Sequence, residues 1–180
     1  MTLDARTVLA GSFESAWRTL EATMADVSQE TADRPAPGRA LGVGAAYAHT
    51  VIAADNITNG MLAGRAPLGA AEWAGRTGVD RPMPMPAGGP EGDLGEWYRT
   101  VRVDLAACRE YAQAVWASLG QFIATTSEAD LERSIDMSFV GAGQMPAALV
   151  FSGFVTGHIN NLTGEISAIK GVHGLQGYPF

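Results

Sequence analysis

The sequence predicts an all-α protein, a four-helix bundle with a long crossover between its second and third helices. Three observations carry that expectation. Four segments repeat apolar residues at three- and four-residue steps, the spacing of one helix face. One stretch, residues 64–92, is loaded with proline and glycine and has no period, as expected of the single long connection that some bundles carry. Strand-like alternation is confined to one brief segment before the last helix. At 47% apolar and 17% charged, the 180 residues are enough for one domain, 1–180, with a substantial core.

The first helix is expected over residues 5–28, with Phe13, Trp17, Leu20, Met24 and Val27 on its inner face and Glu14, Arg18 and Glu21 toward water. Two prolines and a glycine in QETADRPAPGRALG then end it. The second helix, residues 41–63, is rich in small residues that let neighbours approach closely. It has two partly apolar rows, and His49 lies on the one with Ala45, Ile52 and Asn56. Asp55 and Asn56 are expected to face solvent or cap a neighbour. In the crossover, Trp73 is expected over an end of the bundle and RPMPMPAGG as an extended loop or a lid.

The third helix, residues 93–125, shows the most sustained apolar row, from Leu94 and Trp97 through Cys108 to Phe122. Ser127 with Asp130 makes a loose capping box for a short turn, and ERSIDMSFVGAGQMP suggests a small hairpin. The last helix starts at Pro146, a residue tolerated in a first turn, and places Phe151, Val155, His158, Leu162, Ile166 and Ile169 on one face. A histidine in the middle of that face is where a bundle puts a ligand to its interior, or a neutral packed ring. The turn-rich tail, GVHGLQGYPF, is expected to tuck against the bundle. His173 belongs to it and lies roughly 20 Å along the helix from His158, too far to share an ion.

A net charge of -7, a pI of 4.8 and a single lysine, Lys170, leave no basic stripe for nucleic acid or an anionic membrane. The N-terminus does not read as a signal peptide, and there is no apolar run of about eighteen residues, so the chain is expected in the cytoplasm. Cys108, the only cysteine, sits on a helical stripe as a small core hydrophobe. No serine or cysteine has a base beside it in sequence, which leaves nucleophilic catalysis unsupported, and the catalytic residues are unknown. The glycines of LGVGAAY and VGAGQ do not make a dinucleotide fingerprint.

Two segments carry a family resemblance. AAYAHTVIAADNITNGMLAG resembles the second helix of the DinB-like superfamily, and HINNLTGEISAIKGVHGLQGYPF resembles its fourth, which commonly reads His, three residues, His, one residue, Gly-Glu or Gly-Gln. The resemblance covers almost the whole chain and implies a metal-dependent protein related to mycothiol- or bacillithiol-dependent transferases and isomerases, with a three-histidine metal site. Residue by residue, His49 matches the first ligand and His158 the second, while Leu162 stands where the third is expected. Leucine has no lone pair to offer, and two histidines fall short of the three protein ligands of a catalytic zinc-type site. Glu165 or Asn161 is a possible substitute.

The leading expectation is therefore a DinB-like bundle with an incomplete metal site, binding an unknown small molecule and holding no cofactor. The alternative is a thiol transferase or hydrolase in which His49 and His158 hold one divalent transition metal, zinc or nickel, and water or Glu165 completes its shell. A second alternative is a structural dimerisation module, and a homodimer is the default under all three.

Overall fold

The computed structural model describes residues 4–85 and 92–180. Residues 86–91, which include part of the expected loop or lid, lie outside the described residues. Among the described residues the protein is all-α apart from one two-stranded hairpin, and no helix is long and apolar enough to cross a membrane.

Helix α1, Ala5–Met24, begins where the Asp4 carboxylate accepts from the Thr7 amide at 2.7 Å. It buries Leu9, Phe13, Ala16, Leu20 and Met24, one face at helical spacing. It stops short of residue 28 because Ser28 caps a separate short helix, α2, Gln29–Asp33. Glu21 departs from expectation. Its Oε1 accepts from Trp116 Nε1 at 2.8 Å and from the Tyr47 hydroxyl at 2.9 Å, so it lies within the bundle rather than toward water. Burial raises its pKa, against the two hydrogen bonds.

Helix α3, Val43–Asp55, is buried on almost every side and widens into π-type turns over Asn56–Leu62. Its small residues permit close approach: a Cβ on Gly44 would lie 2.9 Å from the Ala32 carbonyl oxygen. Of the two expectations for Asp55, solvent or a neighbour's cap, the structure takes the second: it is 1% exposed and accepts from the first amides of the turn at Leu68–Ala70. Its Oδ1 accepts from the Leu68 amide at 3.0 Å and Asn59 Nδ2 at 2.6 Å, and its Oδ2 from the Gly69 amide at 2.8 Å and the Tyr111 hydroxyl at 2.6 Å. One carboxylate thus pins the start of the crossover to the bundle. Trp73 follows, half-buried, with its ring 5.9 Å from that of Tyr111.

The expected third helix is two helices, α4, Leu94–Thr100, and α5, Leu105–Thr125. Asp93 and Asp104 each cap one of them. Between the two, Val101 is extended and Val103 bridges to Val79, while Asp104 N donates to the Gly78 carbonyl at 2.7 Å. The returning crossover therefore competes for the backbone groups that a continuous helix would use itself. Gly78 makes the approach possible. Its φ is +79°, and a Cβ there would lie 2.5 Å from the Cys108 nitrogen.

Ser127 and Asp130 form the full capping box of α6, Glu128–Glu132. Strands β1, Ser134–Asp136, and β2, Gln144–Pro146, pair antiparallel with Ile135 opposite Met145, as the alternating segment suggested. The last long helix consists of α7, Ala147–Val150, π-type turns over Phe151–Gly157, and α8, His158–Val172. Helices α1 and α3 each pack against both α5 and α8, at opposite corners of the bundle. Phe13 joins Trp116 and Phe151 edge-on, and Phe122 stacks on Phe151.

The only lysine is 2% exposed: Lys170 Nζ donates to the Thr23 carbonyl and to Asp26 Oδ1, tying α8 to the end of α1. The tail lies against α8 at Gly177, where a Cβ would meet Ser167 Oγ at 2.6 Å, although Phe180 itself is 90% exposed.

Candidate functional site

His49 from α3 and His158 from the first turn of α8 meet in the bundle interior. Their Nε2 atoms are 2.8 Å apart and their rings cross edge-on at 70°. On its far side, His49 Nδ1 is 3.1 Å from Met83 Sδ. A thioether has no proton to give, so the network assigns the His49 proton to Nδ1. His49 Nε2 then offers its lone pair and accepts from His158 Nε2–H, an arrangement of two neutral rings. Burial, and then the neighbouring His158, push the His49 pKa down to about 3, while burial also pushes His158 down. The pair is uncharged at neutral pH. The Tyr98 ring sits 5.2 Å from that of His49, and its phenol is raised to about 12 by burial and then by the charge of Glu165.

Leu162, one turn beyond His158, is buried, whereas Asn161 and Glu165 are exposed. Among the described residues no set of three His, Cys, Asp or Glu side chains converges on one point. The donor set therefore does not fit the ion site that the family resemblance implies. Two nitrogens on a tetrahedral zinc, with bonds of about 2.0–2.1 Å, stand about 3.3 Å apart and point lone pairs at the metal. Here they share a proton at 2.8 Å, and the residue in third place is an alkyl group. His173 is remote in role: it is half-buried in the tail turn, with Nε2 enclosed and without a hydrogen-bond partner among the described residues. Cys108 is buried, and burial raises its thiol to about 12, which removes it as a nucleophile.

Beside the pair lies an apolar cavity of about 620 Å³, bounded by Met61, Met83, Met85, Met137, Phe139 and Phe154. Asp55 and Tyr111 provide its polar corner. Met83 belongs both to this wall and to the contact with His49, so the thioether separates the cavity from the imidazole. Sequence reasoning brought His49 and His158 forward but missed Met83, Tyr98 and Asp55. Met83 was hidden in a Pro-Met repeat that has no period, and of the partners of Asp55 only Asn59 is local, while Leu68, Gly69 and Tyr111 lie thirteen or more residues away.

Four long helices, with a histidine on the second and on the last meeting inside, define the class as a DinB-type bundle. The chain belongs to the DinB superfamily, whose model matches residues 12–160. Among solved structures it resembles one described as the conserved protein of locus from Enterococcus faecalis, with a TM-score of 0.78 and 18% identity, over 96% of this chain and 99% of that one. That likeness is one of fold. No curated protein matches the chain.

Proposed function

We propose that this DinB-superfamily chain is a small-molecule-binding member in which the three-histidine metal site has become a neutral hydrogen-bonded histidine pair beside an apolar cavity. The observation that carries the reading is the 2.8 Å contact between His49 Nε2 and His158 Nε2, with Leu162 in the third place. It leaves neither facing nitrogen free for an ion. The ligand is a compact apolar molecule with one polar group. The cavity volume lies in the range of small-molecule sites, and the methionines that line it are the most adaptable apolar side chains. Displacing Met83 would expose the His49 Nδ1–H to the ligand's acceptor.

A second reading, a divalent-metal thiol transferase or hydrolase using His49 and His158, is favoured by the juxtaposition of the two rings itself. Elemental analysis of tag-free protein dialysed without chelator separates the two, with His49→Ala and His158→Ala alongside. Metal-free wild type that takes up no zinc or nickel on titration, and shows a thermal shift with members of an apolar-ligand panel, is the expected result. About one equivalent of transition metal that disappears in both variants would overturn the proposal and establish the second reading.

A further inference from the structure

On another face of the molecule, the loop between α2 and α3 and the side of α4 enclose a cleft of about 850 Å³. Arg34, Arg39, Arg81, Arg99 and Arg102 line it, and among the described residues Asp33 is the one acidic member of its wall. Five of the chain's twelve Lys and Arg residues thus converge on one concavity in a protein of net charge -7. Two are partly compensated. Arg81 makes a two-pronged bond to Asp80 at 2.8 and 3.1 Å, and Arg34 stands 3.6 Å from Glu30. Among the described residues, Arg39, Arg99 and Arg102 have no carboxylate within salt-bridge distance. Like charges gathered against the sign of the whole chain repel one another unless an anion joins them, and the planar guanidinium fork matches carboxylate and phosphate oxygens two at a time.

We propose that this arginine-lined cleft is a binding site for a small polyanion, a molecule carrying two or more carboxylate or phosphate groups. Its concavity and volume fit a small molecule, and the negative charge of the rest of the chain disfavours a nucleic-acid strand. This site is distinct from the apolar cavity and does not depend on it. It does reach the histidine pair: Tyr98 lines the cleft and also packs on His49, and Ala45, another wall residue, lies one turn before His49 on α3. A ligand held by its anionic end at the arginines would have its other end one ring away from His49.

The test is isothermal titration of the full chain, at low ionic strength, with two probes, pyrophosphate and citrate, which distinguish phosphate from carboxylate recognition. Saturable one-to-one binding of at least one probe is expected, weakened about tenfold or more in Arg39→Glu/Arg99→Glu and unchanged in Arg18→Glu. Arg18 is an exposed arginine on α1, paired with Glu14. The milder pair Arg39→Gln/Arg99→Gln carries the same comparison if the charge reversal disturbs folding, which circular dichroism reports. Absence of saturable binding by both probes, or an equal loss in Arg18→Glu, would overturn the site.

Discussion

Acidifying the protein from pH 7 to pH 5 is expected to destabilise it through the histidine pair. In the unfolded chain a histidine titrates near 6.5, whereas folded His49 holds no proton until about pH 3. Between those values the unfolded state binds more protons than the native state, so stability falls as pH falls, beginning near 6.5 and continuing to about 3. At pH 5 the gap is 1.5 pH units, which at 1.36 kcal/mol per unit costs about 2 kcal/mol from His49 alone. His158, depressed by burial, acts in the same direction. The aspartates held low by hydrogen bonds, Asp26 by Lys170 and Asp80 by Arg81 among them, lose their contributions only below their ordinary value of 3.8, outside this window. Glu21, raised by burial, works with the opposite sign and is common to the comparison below.

Urea unfolding at pH 7, 6 and 5 measures the effect, with His49→Leu/His158→Leu as the reference that lacks both titrating rings. The wild type should lose about 2 kcal/mol or more relative to the double variant between pH 7 and 5. Equal pH dependence in the two proteins would refute the neutral pair, because it would mean that the rings titrate alike in the folded and unfolded states.

Three further outcomes follow from other residues. Leu162→His restores the i, i+4 histidine pair on α8, and the variant should retain about one equivalent of zinc or nickel by elemental analysis after dialysis; a variant that stays metal-free would show that Leu162 is not the missing ligand position. Asp55→Ala leaves two crossover amides and the Tyr111 hydroxyl without their acceptor, and should cost about 3 kcal/mol in urea unfolding while raising proteolytic cleavage near residues 64–70. A loss below about 0.5 kcal/mol would remove Asp55 as the anchor. Gly78→Ala puts a methyl against the backbone of Cys108 and Asp104 at a positive φ, and a fall of about 2 kcal/mol or more is expected, whereas a neutral result would contradict the close approach.

The bundle was legible because a helix that buries one face must repeat its apolar residues. Phe151, Val155, Leu162, Ile166 and Ile169 are all buried, and His158 lies among them as the row requires. The break between α4 and α5 was not legible in that row, since Leu94 through Phe122 keeps a helical period across it. What interrupts the helix is a strand-like contact with residues 78–80, far away in sequence, although the Val-Arg-Val run followed by Asp104 carried a local hint of it. The places of half-buried Glu21 and buried Asp55 were not legible for a related reason. Periodicity assigns a charged side chain to water unless a partner is known, and apart from Asn59 the partners of Glu21 and Asp55 are contributed by other helices and the crossover. The arginine cleft gives no sequence signal at all, its residues being scattered over three segments of a chain whose overall charge points the other way.

These departures share a direction. Each polar group that the sequence assigned to solvent and the fold buried is an acceptor with two or more donors aimed at it, so burial is compensated hydrogen bond by hydrogen bond. The histidine pair follows the same rule with the smallest possible set. Met83 accepts from one end of His49, His158 donates to the other, and no charge is needed anywhere in the arrangement. A metal ion at the same point would require His158 to give up its Nε2 proton and turn that lone pair inward, and a third donor to replace Leu162. The neutral pair satisfies every nitrogen of His49 with the residues this chain possesses, and that economy is the physical reason to look for the ligand in the cavity behind Met83 rather than between the rings.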